Sequence, residues 1–357
     1  MIRREFRGMH YRRCGGSGLW LSEVGLGLWK WGDPSYDGSR IGEHDGFAVL
    51  DRALELGVTH WDTANSYNAG SGNSERLLGR YFASRSGHTR DQVVLASKIR
   101  NPVRCEHETT REFSPNESGA SRKYILQAVE ASLRRLGSDY IDILYHHSPS
   151  VLDDGSWETP LEETWSAFDD LVRQGKVRYL AVSNRSGRQL AEENAALRGV
   201  AAPKDTRIIA IQNRYNLVDR AEVSYTDESE AEFLARLDHE RVGLVPMVPL
   251  AVGFLTGRYR RDVTDSSGRL ATDSDRRWAE RYLTERNYEV LDAVEAIGAA
   301  HDASIAQIAI AWLLSRDEVP SVIAGVTKME QLDDNAKATA IELTDDELAR
   351  LEALTGA

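Results

Sequence analysis

The chain has 357 residues, is 41% hydrophobic and carries a formal net charge of −12 at pH 7. This acidic balance does not favour nucleic acid as a partner, because binding to phosphates requires a basic surface. No apolar run approaches the roughly 20 residues of a membrane-spanning helix, and no apolar segment follows the basic N-terminus as in a secretory signal. The two cysteines, Cys14 and Cys105, give no disulfide framework, so we expect free thiols in a cytoplasmic protein.

The first predicted element is a β-hairpin over residues 9–22. This segment reads MHYRRCGGSGLWLS and contains two short β-like pieces on either side of Gly15 and Gly16. Because it precedes the first long apolar strand, we expect the hairpin to cap one end of the fold that follows.

Short apolar strands then alternate with longer amphipathic helices along the chain. Strands are predicted at 22–29, 59–64, 93–98, 140–147, 178–184, 208–216, 243–250 and 320–326. Helices are predicted at 47–56, 121–137, 161–174, 305–314 and 345–354. In the second of these helices, Ser121 is placed to cap the N-terminus and Gly137 to end the last turn.

Repeated strand–helix units with strands apolar on both faces predict an α/β fold with a parallel sheet. Eight units fit a (β/α)8 TIM barrel, here a single domain over 1–357 with long loops on its C-terminal face at 99–121, 148–160 and 256–284. A doubly wound sheet is the alternative, and it would place G-x-G-x-x-G between the first strand and a helix. Neither GGSG at 15–18 nor GLG at 25–27 opens a helix, so the barrel is favoured.

Polar residues recur where these apolar strands end. Asp62, Lys98, His147 and the pair Ser183–Asn184 close the second to fifth strands, and Gln212 and Asn213 lie in the sixth. In a barrel the C-terminal strand ends converge on one face, which is where such folds place their chemistry. Each residue alone has an ordinary structural explanation, such as a helix cap, but their recurrence in successive units indicates a site.

Tyr67 follows Asp62 closely and completes this group. A phenol has a solution pKa of about 10, too high for efficient proton transfer near neutrality. We expect Lys98, held by Asp62, to lower the pKa of Tyr67, because a neighbouring ammonium favours the phenolate. His147 would then orient a substrate carbonyl. The alternative is that Tyr67 only packs against its own loop.

Several segments together resemble the aldo-keto reductase superfamily, over nearly the whole chain. They are YRRCGGSGLWLSEVGLGLW, WDTANSYNAGSGNSERLLG, VVLASK, YIDILYHHSP, GKVRYLAVSN, IQNRYNLV, PLAVGFLTGRY and VIAGVTKMEQLDDN. SGASRKY and the D-x-L-Y-x-H ending look most like the branch of bacterial glyceraldehyde-3-phosphate and methylglyoxal reductases and potassium-channel beta subunits. The resemblance implies a catalytic tetrad of Asp62, Tyr67, Lys98 and His147. Strand alternation turns His146 to the opposite face, and His147 takes the family position before the Ser-Pro turn.

The same resemblance implies NADP(H), bound across the top of the barrel without a Rossmann turn. At the nicotinamide carboxamide it implies Ser183, Asn184 and Gln212, with Trp29 lining the substrate side. In the loop over the pyrophosphate it implies Pro249, Leu250, Gly253, Leu255 and Arg258. Around the adenosine 2′-phosphate it implies Gly325, Thr327, Lys328 and Gln331, and beside the adenine Asp334 and Asn335.

Two departures from the family pattern bear on the cofactor. Lys328 stands where this branch commonly has Arg or Asn, so NAD(H) stays open beside the favoured NADP(H). Met247 stands where an aromatic ring usually stacks on the nicotinamide, and Val248 replaces the usual Ser or Thr after it. Because methionine is flexible, we expect a looser or differently tilted nicotinamide.

The favoured function is an oxidoreductase that reduces an aldehyde or ketone, either a small carbonyl compound or a sugar derivative, to an alcohol with Tyr67 as general acid/base. A sugar or alcohol dehydrogenase working oxidatively and a cofactor-bound regulatory subunit are alternatives, and assembly into a homo-oligomer stays open. A metal-dependent hydrolase using His146, His147 and Asp62 is disfavoured, because the other strand ends offer no ligands. A phosphate- or acid-bearing substrate would suit the arginines of the first long loop, which are Arg100, Arg104, Arg111 and Arg122.

Overall fold

The computed structural model describes residues 2–104, 112–201, 206–220, 228–261, 268, 270 and 276–355. Two residues considered above, Cys105 and Arg111, lie outside this part of the chain, as do parts of the predicted loops at 99–121 and 256–284. The third predicted loop, 148–160, is described throughout, and within it Val151 pairs with Trp157 in an isolated β-bridge.

An antiparallel sheet of three strands begins the chain. Its strands are β1 (Arg3–Phe6), β2 (Met9–Arg13) and β3 (Trp20–Ser22), paired in the order β1–β2–β3. The predicted hairpin is confirmed as β2 and β3. β1 was not predicted, because its four residues, RREF, are all exposed and show no alternation of apolar and polar side chains.

Eight parallel strands follow. They are β4 (Val24–Gly27), β5 (His60–Asp62), β6 (Val94–Ile99), β7 (Ile141–His146), β8 (Val177–Ser183), β9 (Ile208–Gln212), β10 (Gly243–Leu244) and β11 (Val322–Gly325). They pair in the order β10–β9–β8–β7–β6–β5–β4–β11. The two outer strands meet where the amide of Ile323 donates to the carbonyl of Pro246 at 3.1 Å. The sheet therefore curls into the predicted (β/α)8 barrel.

Helices connect the strands. They are α1 (Glu43–Glu55), α2 (Tyr67–Gly70), α3 (Asn73–Ala83), α4 (Gly87–Gln92), α5 (Arg122–Leu136), α6 (Leu161–Arg173), α7 (Gly187–Val200), α8 (Glu230–Glu240), α9 (Arg276–Tyr282), α10 (Glu285–Ala300), α11 (Ile305–Leu314), α12 (Met329–Lys337) and α13 (Asp345–Thr355). The amide of Tyr124 donates to Ser121 Oγ at 3.3 Å, and Gly137 takes a left-handed conformation, so both predicted ends of α5 are confirmed. α9 occupies part of a segment expected to be loop.

The core has two layers. The larger lies between the barrel and the surrounding helices, and it includes the outward side chains of the strands, such as Leu95, Leu144 and Leu180. The smaller fills the barrel interior with the inward side chains, such as Ala96, Ile143 and Tyr145, together with Cys14 of the N-terminal segment. Strand alternation thus separates a helix-facing surface from the barrel lumen.

The N-terminal sheet closes the end of the barrel where the strands begin. The amide of Gly16 donates to the carbonyl of Arg241 at 2.7 Å. A Cβ atom at Gly15, whose φ is +51°, would lie 2.4 Å from the same carbonyl, so only glycine permits this approach. Leu21 completes the seal by packing into the cluster inside the barrel.

A helix that crosses a bilayer needs roughly 20 mostly apolar residues. Within the described ranges, no single helix has both the length and the apolar composition to cross a bilayer. The pair α10 and α11 meets these measures only when the two are taken together, and they are separated by a bend of 95°.

Candidate active site

A buried ion pair lies inside the barrel at the C-terminal end of the strands. The Nζ atom of Lys98 lies 2.6 Å from Asp62 Oδ1 and 2.5 Å from Asp62 Oδ2, and it also donates to the carbonyl of Thr63 at 3.0 Å. Both charged side chains are almost completely buried. Asp62 ends β5 and Lys98 lies near the end of the neighbouring β6, so adjacent parallel strands bring them together.

Tyr67 joins this pair through its hydroxyl group. Its Oη atom lies 2.7 Å from Lys98 Nζ and donates to Asp62 Oδ2 at 3.1 Å. The ring is carried by α2, where Asn68 and Ala69 have positive φ angles of 54° and 56°. Asn68 also donates from Nδ2 to the carbonyl of Trp31 at 2.7 Å, which stabilises this tight turn. The turn brings Tyr67 back over the mouth of the barrel.

The expectation that the pKa of Tyr67 lies below its ordinary value was wrong in direction. Burial, followed by the charge of Asp62, raises the pKa of Tyr67 well above its ordinary value of 10.0. Burial also lowers the pKa of Lys98 from 10.5, against the opposing effect of Asp62. Because Asp62 both neutralises Lys98 and accepts a hydrogen bond from Tyr67, the phenol is held in its protonated form. The sequence revealed only the first of these two contacts of Asp62.

The two adjacent histidines face opposite sides of the barrel wall, as strand alternation predicts. The ring of His147 lies 6.1 Å from that of Tyr67, between centroids, at an interplanar angle of 73°. Among the described residues, Nδ1 of His147 is buried without a hydrogen-bond partner. Burial and the nearby Lys98 lower the pKa of His147 to about 3, so the ring is neutral at physiological pH. His146 instead packs outside the barrel against Trp165 and Phe168.

The three residues expected at the nicotinamide carboxamide adjoin this cluster. Ser183 Oγ donates to the carbonyl of Gln212 at 2.8 Å, and Asn184 Nδ2 donates to the carbonyl of His147 at 2.8 Å. Gln212 Nε2 donates to Asp62 Oδ1 at 2.9 Å, a bond that was not predicted. The structure therefore links all three to the group formed by Asp62, Lys98, Tyr67 and His147.

The segment after β10 forms a tight loop beside Gln212. Met247 continues the strand pairing, since its amide donates to the carbonyl of Asn213 at 2.9 Å. Beyond it, positive φ angles occur at Val248 (58°), Val252 (59°) and Gly253 (97°). Such angles are unusual for the two valines, because their side chains are β-branched. Of the other residues expected to contact a cofactor here, Pro249 and Leu255 are buried, Leu250 is partly exposed and Arg258 is exposed. Trp29, expected on the substrate side, keeps 42% of its surface exposed.

The segment from β11 into α12 contains the remaining predicted cofactor residues. Gln331 Oε1 accepts from the amides of Thr327 at 2.8 Å and Lys328 at 3.2 Å, which caps the start of α12. Gly325 and Lys328 are exposed. Asp334 is turned toward α11, where its carboxylate accepts from Ser304 and Gln307, and Asn335 is buried.

These residues fit an extended, anionic nicotinamide dinucleotide in two respects. The exposed side chains of Lys328 and Arg258 offer positive charge on the face where the strands end, and Gly253 presents a loop without a Cβ atom. The fit is incomplete near the adenine, because both carboxylate oxygens of Asp334 already accept hydrogen bonds from Ser304 and Gln307. Within the described part of the chain, no three His, Cys, Asp or Glu side chains are grouped to hold a metal ion.

A second buried charge cluster, which was not predicted from the sequence, lies next to the site. It consists of Arg185, Glu193 and His146, of which the first two are completely buried. The available signal was the arginine that follows the apolar strand and the Ser183–Asn184 pair in RYLAVSNR. Its acidic partner lies on the following helix and cannot be identified from spacing alone.

Comparisons with known proteins agree over nearly the full chain. Residues 23–355 match the Aldo/keto reductase family. L-glyceraldehyde 3-phosphate reductase of Escherichia coli (strain K12) is 33% identical over 96% of this chain and 92% of its own length. A probable voltage-gated potassium channel subunit beta of Arabidopsis thaliana is 31% identical, over 93% of this chain and 92% of its own. Versiconal hemiacetal acetate reductase of Aspergillus parasiticus is 32% identical over 96% of each chain.

Proposed function

Since the chain belongs to the aldo/keto reductase family, we propose that it is an NADP(H)-dependent reductase that converts an aldehyde or ketone to an alcohol. The family and the branch expected from the sequence motifs are confirmed by the matches, as is an oxidoreductase activity. A nicotinamide cofactor and a small carbonyl substrate follow from the family. The choice of NADP(H) and the roles of individual residues are our proposal.

The observation that carries this proposal is the contact between Tyr67 Oη and Lys98 Nζ at 2.7 Å. A reduced nicotinamide, when bound, would supply the hydride for the carbonyl carbon. Tyr67 donates its phenolic proton to the oxygen that becomes the alcohol, and the ammonium of Lys98 stabilises the phenolate that remains. Asp62 holds Lys98 in place through two short contacts.

His147 has the properties of a group that orients the substrate without exchanging a proton. Its ring is neutral, because burial and Lys98 hold its pKa at about 3. A neutral imidazole donates one N–H, which suits a hydrogen bond to the carbonyl oxygen. The ring lies edge-on to Tyr67, so both side chains can face the same oxygen atom.

The preference for NADP(H) over NAD(H) rests on the start of α12. A helix N-terminus favours negative charge, and exposed Lys328 stands at this one. An additional phosphate on the ribose would therefore gain both a cation and the helix dipole. NAD(H) would gain neither, so we expect it to bind more weakly.

A cofactor titration followed by a substrate panel tests the proposal. NADPH and NADH are titrated against the fluorescence of the tryptophans, and turnover is then measured on aldehydes, ketones and sugars. We expect tighter binding of NADPH, and Tyr67→Phe should lower kcat on the order of 10²–10⁴-fold without loss of NADPH binding. Tyr140→Phe, at a partly exposed tyrosine outside the site, is the control. Full activity of Tyr67→Phe would refute the assigned role.

A second candidate is a regulatory subunit that binds the cofactor without sustained turnover. The relative from Arabidopsis thaliana named as a probable channel subunit beta favours this reading. The same titration separates the two functions, because a regulatory subunit would bind NADPH yet fail to turn over every member of the substrate panel.

A further inference from the structure

Arg185 stands directly behind the candidate site and takes no part in the proposed chemistry. Its Nε atom donates to Glu193 Oε2 at 2.9 Å and its Nη2 atom to Glu193 Oε1 at 3.1 Å. Nη1 donates to the carbonyl of Ser183 at 2.7 Å, and Nη2 also lies 2.7 Å from Nδ1 of His146. One guanidinium therefore joins the last residue of β7, the last residue of β8 and the middle of α7.

The main chain of Arg185 is held as firmly as its side chain. Its amide donates to Asn213 Oδ1 at 3.2 Å, and Asn213 Nδ2 donates to the carbonyl of Arg185 at 2.7 Å. Asn213 follows Gln212 at the end of β9, so a further strand end is tied to the same point. A residue fixed in this way leaves the adjoining turn little freedom.

That turn carries Ser183 and Asn184. Asn184 has a positive φ of 60°, a conformation that residues other than glycine adopt infrequently. The bond from Arg185 Nη1 to the carbonyl of Ser183 spans the turn and closes it around Asn184. Asn184 in turn donates to the carbonyl of His147, so the turn is joined to the end of β7.

The contacts of the cluster also fix the tautomer and the charge of His146, the last residue of β7. Arginine can only donate hydrogen bonds, so Nδ1 of His146 is the acceptor and the proton of this ring is on Nε2. Burial and the charge of Arg185 lower the pKa of His146 to about 4. His146 therefore stays neutral and hydrogen-bonded, one residue before His147.

We propose that Arg185 is a positioning residue for the reaction, holding Asn184 toward the nicotinamide and His147 toward the substrate carbonyl. The inference rests on the proposed function, since it needs a nicotinamide and a carbonyl at this face. A buried ion pair adds little net stability over apolar side chains of similar size, whereas its fixed geometry specifies one arrangement. Arg185 is completely buried, so its effect passes through Ser183, Asn184 and His146.

The opposite end of the barrel provides a matched control. Arg12 is also buried, its Nε atom lies 2.5 Å from Glu23 Oε1, and its Nη1 atom donates to the carbonyls of Arg316 and Val319. Arg185→Met and Arg12→Met therefore remove the same group from similar surroundings. Both variants are compared with the unmodified protein by thermal unfolding, by NADPH titration and by steady-state kinetics.

We expect both variants to lose thermal stability. Only Arg185→Met should also raise the dissociation constant for NADPH, about tenfold or more, and lower kcat, while Arg12→Met keeps both within about twofold. Arg185→Lys should not restore either value, because one ammonium cannot reach three partners in a planar fork. Glu193→Gln provides a milder test should Arg185→Met fail to fold, since it keeps the side-chain shape, and it should weaken NADPH binding in the same direction.

Two outcomes would overturn the inference, and they are distinguishable. If the unmodified protein neither binds NADPH nor reduces any carbonyl compound, the proposed function fails and the role of Arg185 falls with it. If the unmodified protein is active and Arg185→Met matches Arg12→Met in NADPH affinity, kcat and KM, then Arg185 is only structural and the proposed function stands.

Discussion

The two ends of the barrel use buried ion pairs for different purposes. At the lower end, Arg12 pairs directly with Glu23 and donates to the main-chain carbonyls of Arg316 and Val319, which joins the N-terminal sheet to the barrel. At the upper end, Lys98 and Asp62 are both hydrogen-bonded to the hydroxyl group of Tyr67, and this tyrosine is partly exposed to solvent. The same kind of interaction seals the fold at one end and supports a reactive group at the other.

Lys98→Met should have the largest effect and separate the two ends most clearly. The variant leaves the carboxylate of Asp62 buried without its cation, so we expect the free energy of unfolding to fall by about 3–5 kcal/mol. Activity should fall on the order of 10²–10⁴-fold, because the phenolate of Tyr67 loses its stabilising charge. Denaturant unfolding and steady-state kinetics measure the two effects. Arg12→Met should lose comparable stability yet keep its kcat. If both variants lost kcat, the two ion pairs would not differ in function as described above.

Acid should destabilise both ends through buried neutral histidines. His60, near the start of β5, and His146, at the end of β7, each have a folded pKa of about 4 against an ordinary value of 6.5. As the pH falls, these histidines take up protons in the unfolded chain before they do so in the folded one. Their contribution to the free energy of unfolding is therefore complete above pH 6.5 and declines as the pH falls toward 4. The loss amounts to about 3 kcal/mol per histidine by pH 4.

Variants at these histidines sharpen the comparison between the ends. Unfolding free energies are measured between pH 7.5 and 4.5 for His60→Asn and His146→Asn. Both substitutions should flatten the dependence on pH, and only His146→Asn should also weaken NADPH binding, since only His146 contacts Arg185. An unchanged slope in both variants would show that other groups control the acid sensitivity.

Met247→Phe should have the smallest effect, confined to the upper end. A ring at this position can stack on the nicotinamide, so we expect NADPH to bind about 2–10-fold more tightly, in line with roughly 0.5–1.5 kcal/mol for an aromatic pair. Fluorescence titration measures the change. Met9→Leu, within the buried face of the N-terminal sheet, should leave the affinity unaltered. An equal affinity for Met247→Phe would mean that position 247 does not contact the ring.

Local patterns predicted most of the fold. The bounds of α11 agree with the prediction, and Ser121 and Gly137 end α5 where their conformational preferences place them. β1 was missed, because an exposed strand that pairs on one side carries no apolar alternation. The alternation of apolar and polar residues in a strand arises because one face is buried, and β1 has no buried residue.

The site was predictable as a set of polar strand ends but not as a network. The positions of Asp62 and Lys98 follow from the strands, and the structure places the two side chains in contact. The bond from Gln212 to Asp62 joins residues 150 positions apart and depends on barrel closure. The direction of the pKa shift at Tyr67 was mistaken for the same reason, since it depends on a second contact of Asp62 and on the depth of burial.

The seal at the lower end ties a residue near the start of this sequence to a segment in its last quarter. Arg12 reaches the carbonyl of Arg316, which lies 304 positions later in the sequence. Contacts of such long range form late, because the intervening chain must first be ordered. During synthesis on the ribosome, Arg12 can pair with Glu23 early, but it cannot reach the carbonyls of Arg316 and Val319 until those residues have emerged.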